Sequence, residues 1–153
     1  ATRRVGATSP VRQVIILDTN VLSALMRDRP DATVITWLDD QPAESIWTTA
    51  ITVLEVRTGL ELLRASRRRT HLETAFDQLL QADLDGRVLA FDTAAANAAG
   101  VAVAAAQRRG RPAEIRDCQI AGIALARRAT LATRNVRHFE PLGVIVVDPW
   151  DEG

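Results

Sequence analysis

The sequence predicts an α/β protein: a three-layer α/β/α domain with a mainly parallel central sheet of about five strands. Short apolar runs rich in β-branched residues alternate with longer segments of helical periodicity along the chain. Strands that alternate with helices form parallel sheets covered on both faces, because right-handed crossovers bring each strand back in the same direction. A length of 153 residues is enough for a single domain to bury a core of its own.

Composition limits the classes of protein that the sequence can encode. Its formal net charge is zero, with 19 basic and 19 acidic residues, which argues against binding nucleic acid by bulk charge alone. Cys118 is the only cysteine, so an intrachain disulfide is excluded and the reducing cytoplasm is the expected location. No apolar run comes near the roughly 18 residues of a membrane span, and the first residues show no secretory signal pattern.

We expect a flexible arm at residues 1–13 and one domain at residues 14–150. The arm carries three arginines and no periodic pattern. The first strand is the apolar run at 14–17, and the helix that follows it continues to Met26. Asp18 therefore stands where a buried strand meets a helix.

Turn residues and changes of periodicity separate the other predicted elements. Helices are predicted at 31–40, 50–64, 66–83, 93–109 and 113–128, and strands at 45–48, 88–91, 130–133 and 144–147. Ligands bind beyond the carboxyl ends of parallel strands, so polar residues that follow these strands are the first candidates for a functional site.

Three aspartates directly follow predicted strands, and we expect different roles for them. Asp18 is the candidate site residue, although an aspartate in this position can also simply cap the helix that it precedes. Asp92 stands in the same strand-Asp-Thr context and is expected to be a helix cap. Asp148 is expected only to end a strand before Pro149.

Glu55 is predicted to project from a buried helical face. Within the helix at 50–64 it falls inside an apolar arc that includes Leu54 and Leu62, away from the polar strip that contains Arg57. A buried, ionised carboxylate costs several kcal/mol, so Glu55 is expected to need an arginine or a metal ion beside it. The structural alternative is a buried ion pair with a core-facing arginine.

Asp117 shows the same pattern in the helix at 113–128. It shares a helical face with Ile120 and lies near the first turn, where the helix dipole favours an anion. A favourable interaction with the dipole is a sufficient structural reason for Asp117 on its own. The small residues near it, Cys118 and Gly122 among them, are expected to let the helix approach the sheet closely.

Three carboxylates from three separate segments suit one purpose well, which is to hold Mg²⁺ or Mn²⁺. These ions take oxygen ligands and keep several waters. Such an ion positions phosphate oxygens and lowers the pKa of a bound water for attack. Zinc is not expected, because one cysteine and two histidines show no ligand spacing, and His71 and His138 are expected to be surface or packing residues.

Four segments carry the strongest pattern in the chain: LDTNVL at 17–22, TVLEVRTG at 52–59, DCQIAGIA at 117–124 and LATRNVRHF at 131–139. In this order and spacing they resemble the PIN-domain family, and in particular VapC-type toxins, including the FitB-like branch. The likeness runs from about Val14 to Trp150, which is nearly the whole chain.

The resemblance implies a compact α/β/α fold and a Mg²⁺- or Mn²⁺-dependent endoribonuclease, the toxin of a toxin–antitoxin pair. Asp18, Glu55 and Asp117 match the family's acidic metal ligands. Asn135 falls at the family's fourth polar position, where it would orient a ligand water. The implied reaction is hydrolysis of RNA that leaves a 3′-hydroxyl and a 5′-phosphate. The implied partners are an RNA substrate, a VapB-like antitoxin and a second copy of the toxin.

Further positions near these motifs follow from the same resemblance. Thr19 and Thr133 fall where the family keeps hydroxyls near the site. Relatives often have an aspartate just before the phenylalanine, where this chain has His138, so one tightly held ion is expected, with another arriving with the RNA. Arginines close to the site residues in sequence are candidates to contact substrate phosphates, unless they form only a solvated basic face: Arg111, Arg116, Arg134 and Arg137.

Two other functions stay open from the residues alone. An aspartate at the end of the first strand can be a phosphoryl-accepting nucleophile. Haloacid-dehalogenase-like phosphatases have a second aspartate where Asn20 stands, and response regulators need a lysine that this chain lacks. The chain can also be a non-catalytic RNA-binding module. Substitution of Asp18 by asparagine separates these possibilities, because a nuclease loses cleavage and keeps its fold, whereas a binding module is barely affected.

Overall fold

Five parallel strands form the centre of the molecule. The computed structural model describes residues 13–151, so the arm predicted at 1–13 lies almost entirely outside the described residues. The strands are β1 (Ile15–Leu17), β2 (Ile46–Thr49), β3 (Val88–Leu89), β4 (Thr130–Ala132) and β5 (Ile145–Val147). Their order in the sheet is β3-β2-β1-β4-β5, and every pairing is parallel. The predicted fold class is confirmed.

Seven helices surround the sheet in the part of the chain that the structure describes. They are α1 (Thr19–Met26), α2 (Ala32–Asp39), α3 (Ala50–Leu62), α4 (Arg67–Gln78), α5 (Thr93–Arg108), α6 (Ile115–Arg127) and α7 (Val136–Phe139). Short 3₁₀ turns lie at Ala43–Ser45 and Glu140–Leu142, and a π turn lies at Leu79–Asp83. None of the helices within residues 13–151 is long and apolar enough to cross a membrane.

The predicted elements end within two residues of the observed ones, with two exceptions. The helix predicted at 66–83 leaves α-helical geometry after Gln78 and finishes as the π turn. The second exception is α7, which was not predicted because four residues are too few to show a helical period.

An apolar core lies on each face of the sheet, because successive residues of a strand point to opposite sides. Ile16 and Leu131 belong to the core covered by α5 and α6, together with Phe139 of α7. Ile15 and Leu17 belong to the opposite core, which α1, α3 and α4 cover. Burial on both faces explains the uninterrupted apolar run of β1.

The position of β1 and β4 determines where a site can form. The chain passes from β1 to β2 on one side, whereas β4 pairs with the other side of β1. This reversal of strand order opens a crevice beyond the carboxyl ends of the two strands, where ligands of open α/β sheets bind. Asp18 and Thr133 are the residues that follow β1 and β4, and the Asp18 N–H donates to the Ala132 carbonyl at 3.0 Å.

Gly122 of α6 lies against another helix, so the prediction that it lets α6 approach the sheet closely is wrong for this residue. A Cβ atom at Gly122 would overlap the carbonyl oxygen of Ala95 and would lie 2.7 Å from the Cβ atom of Ala99. Gly122 therefore faces α5, and the absence of a side chain there sets the distance between the two helices.

Candidate active site

Asp18 is buried at the carboxyl end of β1, and its side chain does not cap the helix that follows. It is only 4% exposed. Its main-chain carbonyl accepts from the first turn of α1, but its carboxylate makes no cap hydrogen bond. The carboxylate Oδ2 accepts instead from the Thr133 hydroxyl at 2.7 Å. Asp92, in the same local context, is a cap as predicted, because its Oδ1 accepts from the Ala95 N–H at 2.9 Å.

Two side chains bind the Asp18 carboxylate: Thr133, which follows the neighbouring strand β4, and Asn20, which lies in α1. The Thr133 hydroxyl, which donates to Asp18, accepts from the Asn20 side-chain amide at 3.1 Å. It also accepts from the Asn135 N–H at 3.0 Å, so its full hydrogen-bonding capacity is used. Asn20 in turn donates to Asp18 at 3.4 Å and accepts from the Arg134 N–H at 3.1 Å. The start of α1 is thereby tied to the loop after β4.

The position of α3 is fixed at its first turn by a threonine cap. The Thr49 hydroxyl oxygen accepts from the Thr52 N–H at 3.0 Å. Glu55, one turn further along, is half-buried. Among residues 13–151, no basic side chain has a nitrogen within 4.0 Å of the Glu55 carboxylate. The buried ion pair considered as an alternative for Glu55 is therefore not formed.

The apolar arc predicted on α3 is only partly buried. Leu54 is 54% exposed and Leu62 is 82% exposed, so their predicted place on the buried face is wrong. The helix packs on the core through Val56 and Leu60. Because successive helical residues turn by about 100°, Leu54 falls opposite Val56 and Glu55 falls at the edge between core and solvent.

Asp117 lies in the first turn of α6 and contacts an imidazole. Its Oδ2 is 3.4 Å from Nδ1 of His138, and the Asp117 side chain is 23% exposed. The helix is capped by Glu114, whose carboxylate accepts from the N–H groups of Arg116 and Asp117. His138 is exposed, as the sequence predicts, but it is also the partner of a site carboxylate.

The three carboxylates share one electrostatic environment. Burial is the largest cause of a raised pKa at Asp18, Glu55 and Asp117. The negative charge of Asp18 further raises the pKa of both other groups, and that of Asp117 raises the pKa of Glu55. Arg116 acts in the opposite direction on Glu55, as does His138 on Asp117. Carboxylates that follow β1 or lie on α3 and α6 are thus near enough for their charges to interact.

Thr19 and Asn135, which were also predicted as site residues, differ in burial and in hydrogen bonding. The Thr19 hydroxyl is buried and has no hydrogen-bond partner among the described residues. Asn135 is exposed at the start of α7, and its main-chain N–H donates to Thr133.

Arg116 and Arg134, both predicted to contact phosphates, are engaged within the chain. The Arg116 Nε lies 3.4 Å from a carboxylate oxygen of Glu114. The Arg134 guanidinium stacks on the Trp150 ring, 3.7 Å from its centroid. Both side chains therefore already make a contact within the chain, unlike a fully solvated arginine.

Sequence reasoning missed the contributions of Asn20 and Glu114. Asn20 was placed only at the start of a helix, although a polar side chain two positions after Asp18 was the available signal. Glu114 raises the pKa of Glu55 and of Asp117. Its position three residues before Asp117 in the sequence pointed to a helix cap.

Asp18, Glu55 and Asp117 could hold a divalent cation by their chemistry. Their donors are carboxylate oxygens, which Mg²⁺ and Mn²⁺ prefer, and a cation would relieve the mutual repulsion that raises the pKa of Glu55. Within residues 13–151, no three His, Cys, Asp or Glu side chains already form a ligand cluster. The fit to a metal ion therefore rests on donor type and charge.

A five-stranded parallel sheet, a buried aspartate at its switch point and two half-buried carboxylates on neighbouring helices define an α/β protein with a candidate acidic site. The family model of the PIN domain matches residues 15–142. The chain belongs to the PIN-domain family.

The names of similar proteins support this family assignment. The chain is 37% identical over 138 residues to VapC ribonuclease Y4jK of Sinorhizobium fredii, covering 90% of this chain and 99% of that protein. It is 33% identical over 139 residues to Toxin FitB of Neisseria gonorrhoeae, covering 91% of this chain and 100% of that protein. A solved structure of FitAB bound to a DNA fragment has a TM-score of 0.82 at 33% identity, covering 92% of this chain and 98% of that chain. The resemblance to VapC- and FitB-type proteins is confirmed.

Proposed function

We propose that this chain is a divalent-metal-dependent endoribonuclease and the toxin of a toxin–antitoxin pair. The observation that carries the proposal is the shared electrostatic environment of Asp18, Glu55 and Asp117 at the carboxyl end of the sheet. The names of the relatives, a VapC ribonuclease and a toxin, support both parts of it. The products of RNA hydrolysis are a 3′-hydroxyl and a 5′-phosphate.

The site residues have separate roles in this proposal. Asp18, Glu55 and Asp117 would hold Mg²⁺ or Mn²⁺, directly or through water. When bound, such an ion lowers the pKa of a coordinated water and offsets negative charge on the phosphate. Thr133 keeps the Asp18 carboxylate in one orientation, and Asn135, exposed at the mouth of the site, orients a water.

The surroundings of Asp18 do not favour a phosphoryl-accepting nucleophile. The side chain is 4% exposed, and its Oδ2 is occupied by the Thr133 hydroxyl. A nucleophilic carboxylate must be reached in line by the phosphorus atom of its substrate. A carboxylate that binds a metal ion does not have to be reached by the phosphorus atom of the substrate.

We expect this toxin to bind a VapB-like antitoxin and to form a homodimer. The similar solved structure is a FitAB complex. On this chain, α3 presents Leu54 and Leu62 to solvent, and large apolar side chains of this kind are typical of protein interfaces. Light scattering on the chain alone, and after co-expression with its antitoxin, measures both associations.

Cleavage of total RNA by the purified chain tests the proposed activity. New 5′ ends should appear with Mg²⁺ and should be absent with EDTA. Loss of a residue that supports a metal ligand lowers activity by about 10–100-fold. Because Asp117 is itself a proposed ligand, Asp117→Asn should reduce cleavage by more than about 100-fold. Asp92→Asn, which changes a helix cap outside the acidic group, is the matched control and should still cleave. Cleavage that is indifferent to both EDTA and Asp117→Asn would contradict the proposal.

A further inference from the structure

A cavity beside Asp117 has no role in the chemistry described so far. Its volume is about 320 Å³. This volume lies at the lower end of the range for small-ligand sites, about 300–1,000 Å³. The loop between α5 and α6 forms one wall, and α7 with the following 3₁₀ turn forms the other.

Tertiary contacts hold the two walls of this cavity together. The Arg109 guanidinium, from the end of α5, donates to the Pro141 carbonyl oxygen at 2.6 Å. The Arg111 N–H donates to the Ala106 carbonyl at 2.9 Å, and Gly110 adopts a φ of 71° in the turn between them. The start of the loop is therefore fixed on the end of α5, and one hydrogen bond joins it to the opposite wall.

Arg111 and Arg137 both line this cavity, and neither is paired within the described chain. Among residues 13–151, no carboxylate oxygen lies within 4.0 Å of either guanidinium. The carboxylates in the same cavity are already engaged: Glu114 caps α6 and pairs with Arg116, and Asp117 belongs to the candidate metal site. Two guanidinium groups are thus available to an anion, and arginine binds phosphate through two parallel hydrogen bonds.

Apart from His138, which contacts Asp117, the remaining surface of the cavity is apolar. Pro112 and Pro141 are exposed on opposite walls, and Leu142 is buried beneath them. Proline rings lose no rotamer freedom when a flat ring packs on them. A phosphate-binding group beside a rigid apolar face suits single-stranded RNA, because its bases are unstacked and available for contact.

We infer that this cavity binds one nucleotide of single-stranded RNA next to the cleaved bond. Arg111 and Arg137 bind its phosphate, and Pro112 and Pro141 contact its base. The inference rests on the proposed function, because it takes RNA as the substrate. It also divides the four arginines predicted from the sequence into two that bind substrate and two that have structural contacts.

Binding of a short, dye-labelled single-stranded RNA tests the phosphate contacts without cleavage when anisotropy is measured in EDTA. The double variant Arg111→Ala/Arg137→Ala should bind about tenfold more weakly or worse. The slope of log affinity against log salt concentration should fall by about 0.7 for each lost phosphate contact. Arg29→Ala/Arg64→Ala removes the same charge at exposed positions outside the cavity and should keep the original affinity and slope.

A second substitution tests the base contact. Pro141→Ala keeps the carbonyl that Arg109 binds but removes the ring. It should weaken binding of base-bearing RNA and leave binding of an abasic strand of the same length unchanged. Equal effects on the two strands would overturn the assignment of the prolines to the base.

The outcomes separate this inference from the proposed function. Unchanged affinity and salt slope in the Arg111→Ala/Arg137→Ala variant, in a chain whose unsubstituted form cleaves RNA, would overturn the inference alone. An equal loss in the control double variant would show a bulk charge effect and would also overturn it. An unsubstituted chain that neither binds nor cleaves RNA would overturn both. Circular dichroism of each variant checks that the fold is intact.

Discussion

At the scale of single residues, the geometry of the candidate site depends most on the hydroxyl group of Thr133. It donates to Asp18 and accepts from the Asn20 amide and the Asn135 N–H. Thr133 has no exposed surface, so a lost hydrogen bond there cannot be replaced by bulk water. An unsatisfied buried polar group costs about 1–3 kcal/mol. The orientation of Asp18 therefore depends on a side chain that belongs to the neighbouring strand.

Thr133→Val removes this hydroxyl and keeps the volume of the side chain. We expect RNA cleavage to fall by about 10–100-fold, the usual effect of removing a group that orients a metal ligand. The free energy of unfolding should fall by about 1–3 kcal/mol, because the partners of the hydroxyl stay buried. Cleavage of a defined RNA and urea denaturation measure the two effects. Thr133→Ser keeps the hydroxyl and is the control; equal loss in both variants would assign the effect to the methyl group.

At the scale of elements, the contact between α5 and α6 sets the position of a site carboxylate. Asp117 lies in the first turn of α6, and Gly122, further along the same helix, lies directly against Ala95 and Ala99 of α5. Gly100, also on α5, has open space around the position of a Cβ atom. The two glycines thus share a secondary structure type and differ in what surrounds them.

Substitution of each glycine by alanine should therefore change stability in opposite directions. Gly122→Ala forces the helices apart and should destabilise the fold by about 1–3 kcal/mol, the usual cost of an overpacked core. Gly100→Ala should stabilise it by about 0.5–1 kcal/mol, because alanine loses less backbone entropy in a helix. Denaturant unfolding followed by circular dichroism measures both changes. A neutral Gly122→Ala would show that the helices can separate without cost.

At the scale of the whole molecule, charge is balanced in number but not in position. The formal net charge is zero, yet three carboxylates with a raised pKa lie close enough for their charges to interact. A pKa that is higher in the folded chain means that the folded state binds protons more tightly than the unfolded state. The contribution of Asp18 to stability is therefore full below its ordinary pKa of 3.8 and is lost as pH rises through its raised value.

This linkage predicts a pH-dependent effect of Asp18→Asn on the melting temperature in EDTA. At pH 7 the variant should melt at a higher temperature than the unsubstituted chain, because burial no longer opposes an ionised group. The difference should shrink as pH falls towards 3.8. Mg²⁺ should raise the melting temperature of the unsubstituted chain more than that of the variant, because a ligand that binds the folded state stabilises it. Thermal scans over a pH series measure these differences, and a lower melting temperature of the variant at pH 7 would contradict the argument.

Much of the fold and of the candidate site could be predicted from local pattern. The apolar run before Asp18 predicted a strand buried on both faces, and helical periodicity predicted the crossover helices, because both depend on neighbours in sequence. The pattern on α3 predicted that Glu55 faces away from the polar strip, and the side chain is half-buried. It did not predict the exposure of Leu54, because a helical period does not say how wide the buried stripe is.

The sequence by itself determined the order of the elements, the parallel sheet and the family, and it predicted three acidic residues as the candidate site. Only the tertiary structure decided that Asp18 turns to a threonine 115 positions away while Asp92 caps its own helix. It also decided that Arg134 stacks on an aromatic ring whereas Arg111 faces a cavity. The physical reason is range: secondary structure follows from contacts a few residues apart, whereas hydrogen bonds and burial depend on which distant segments the fold places within a few ångströms.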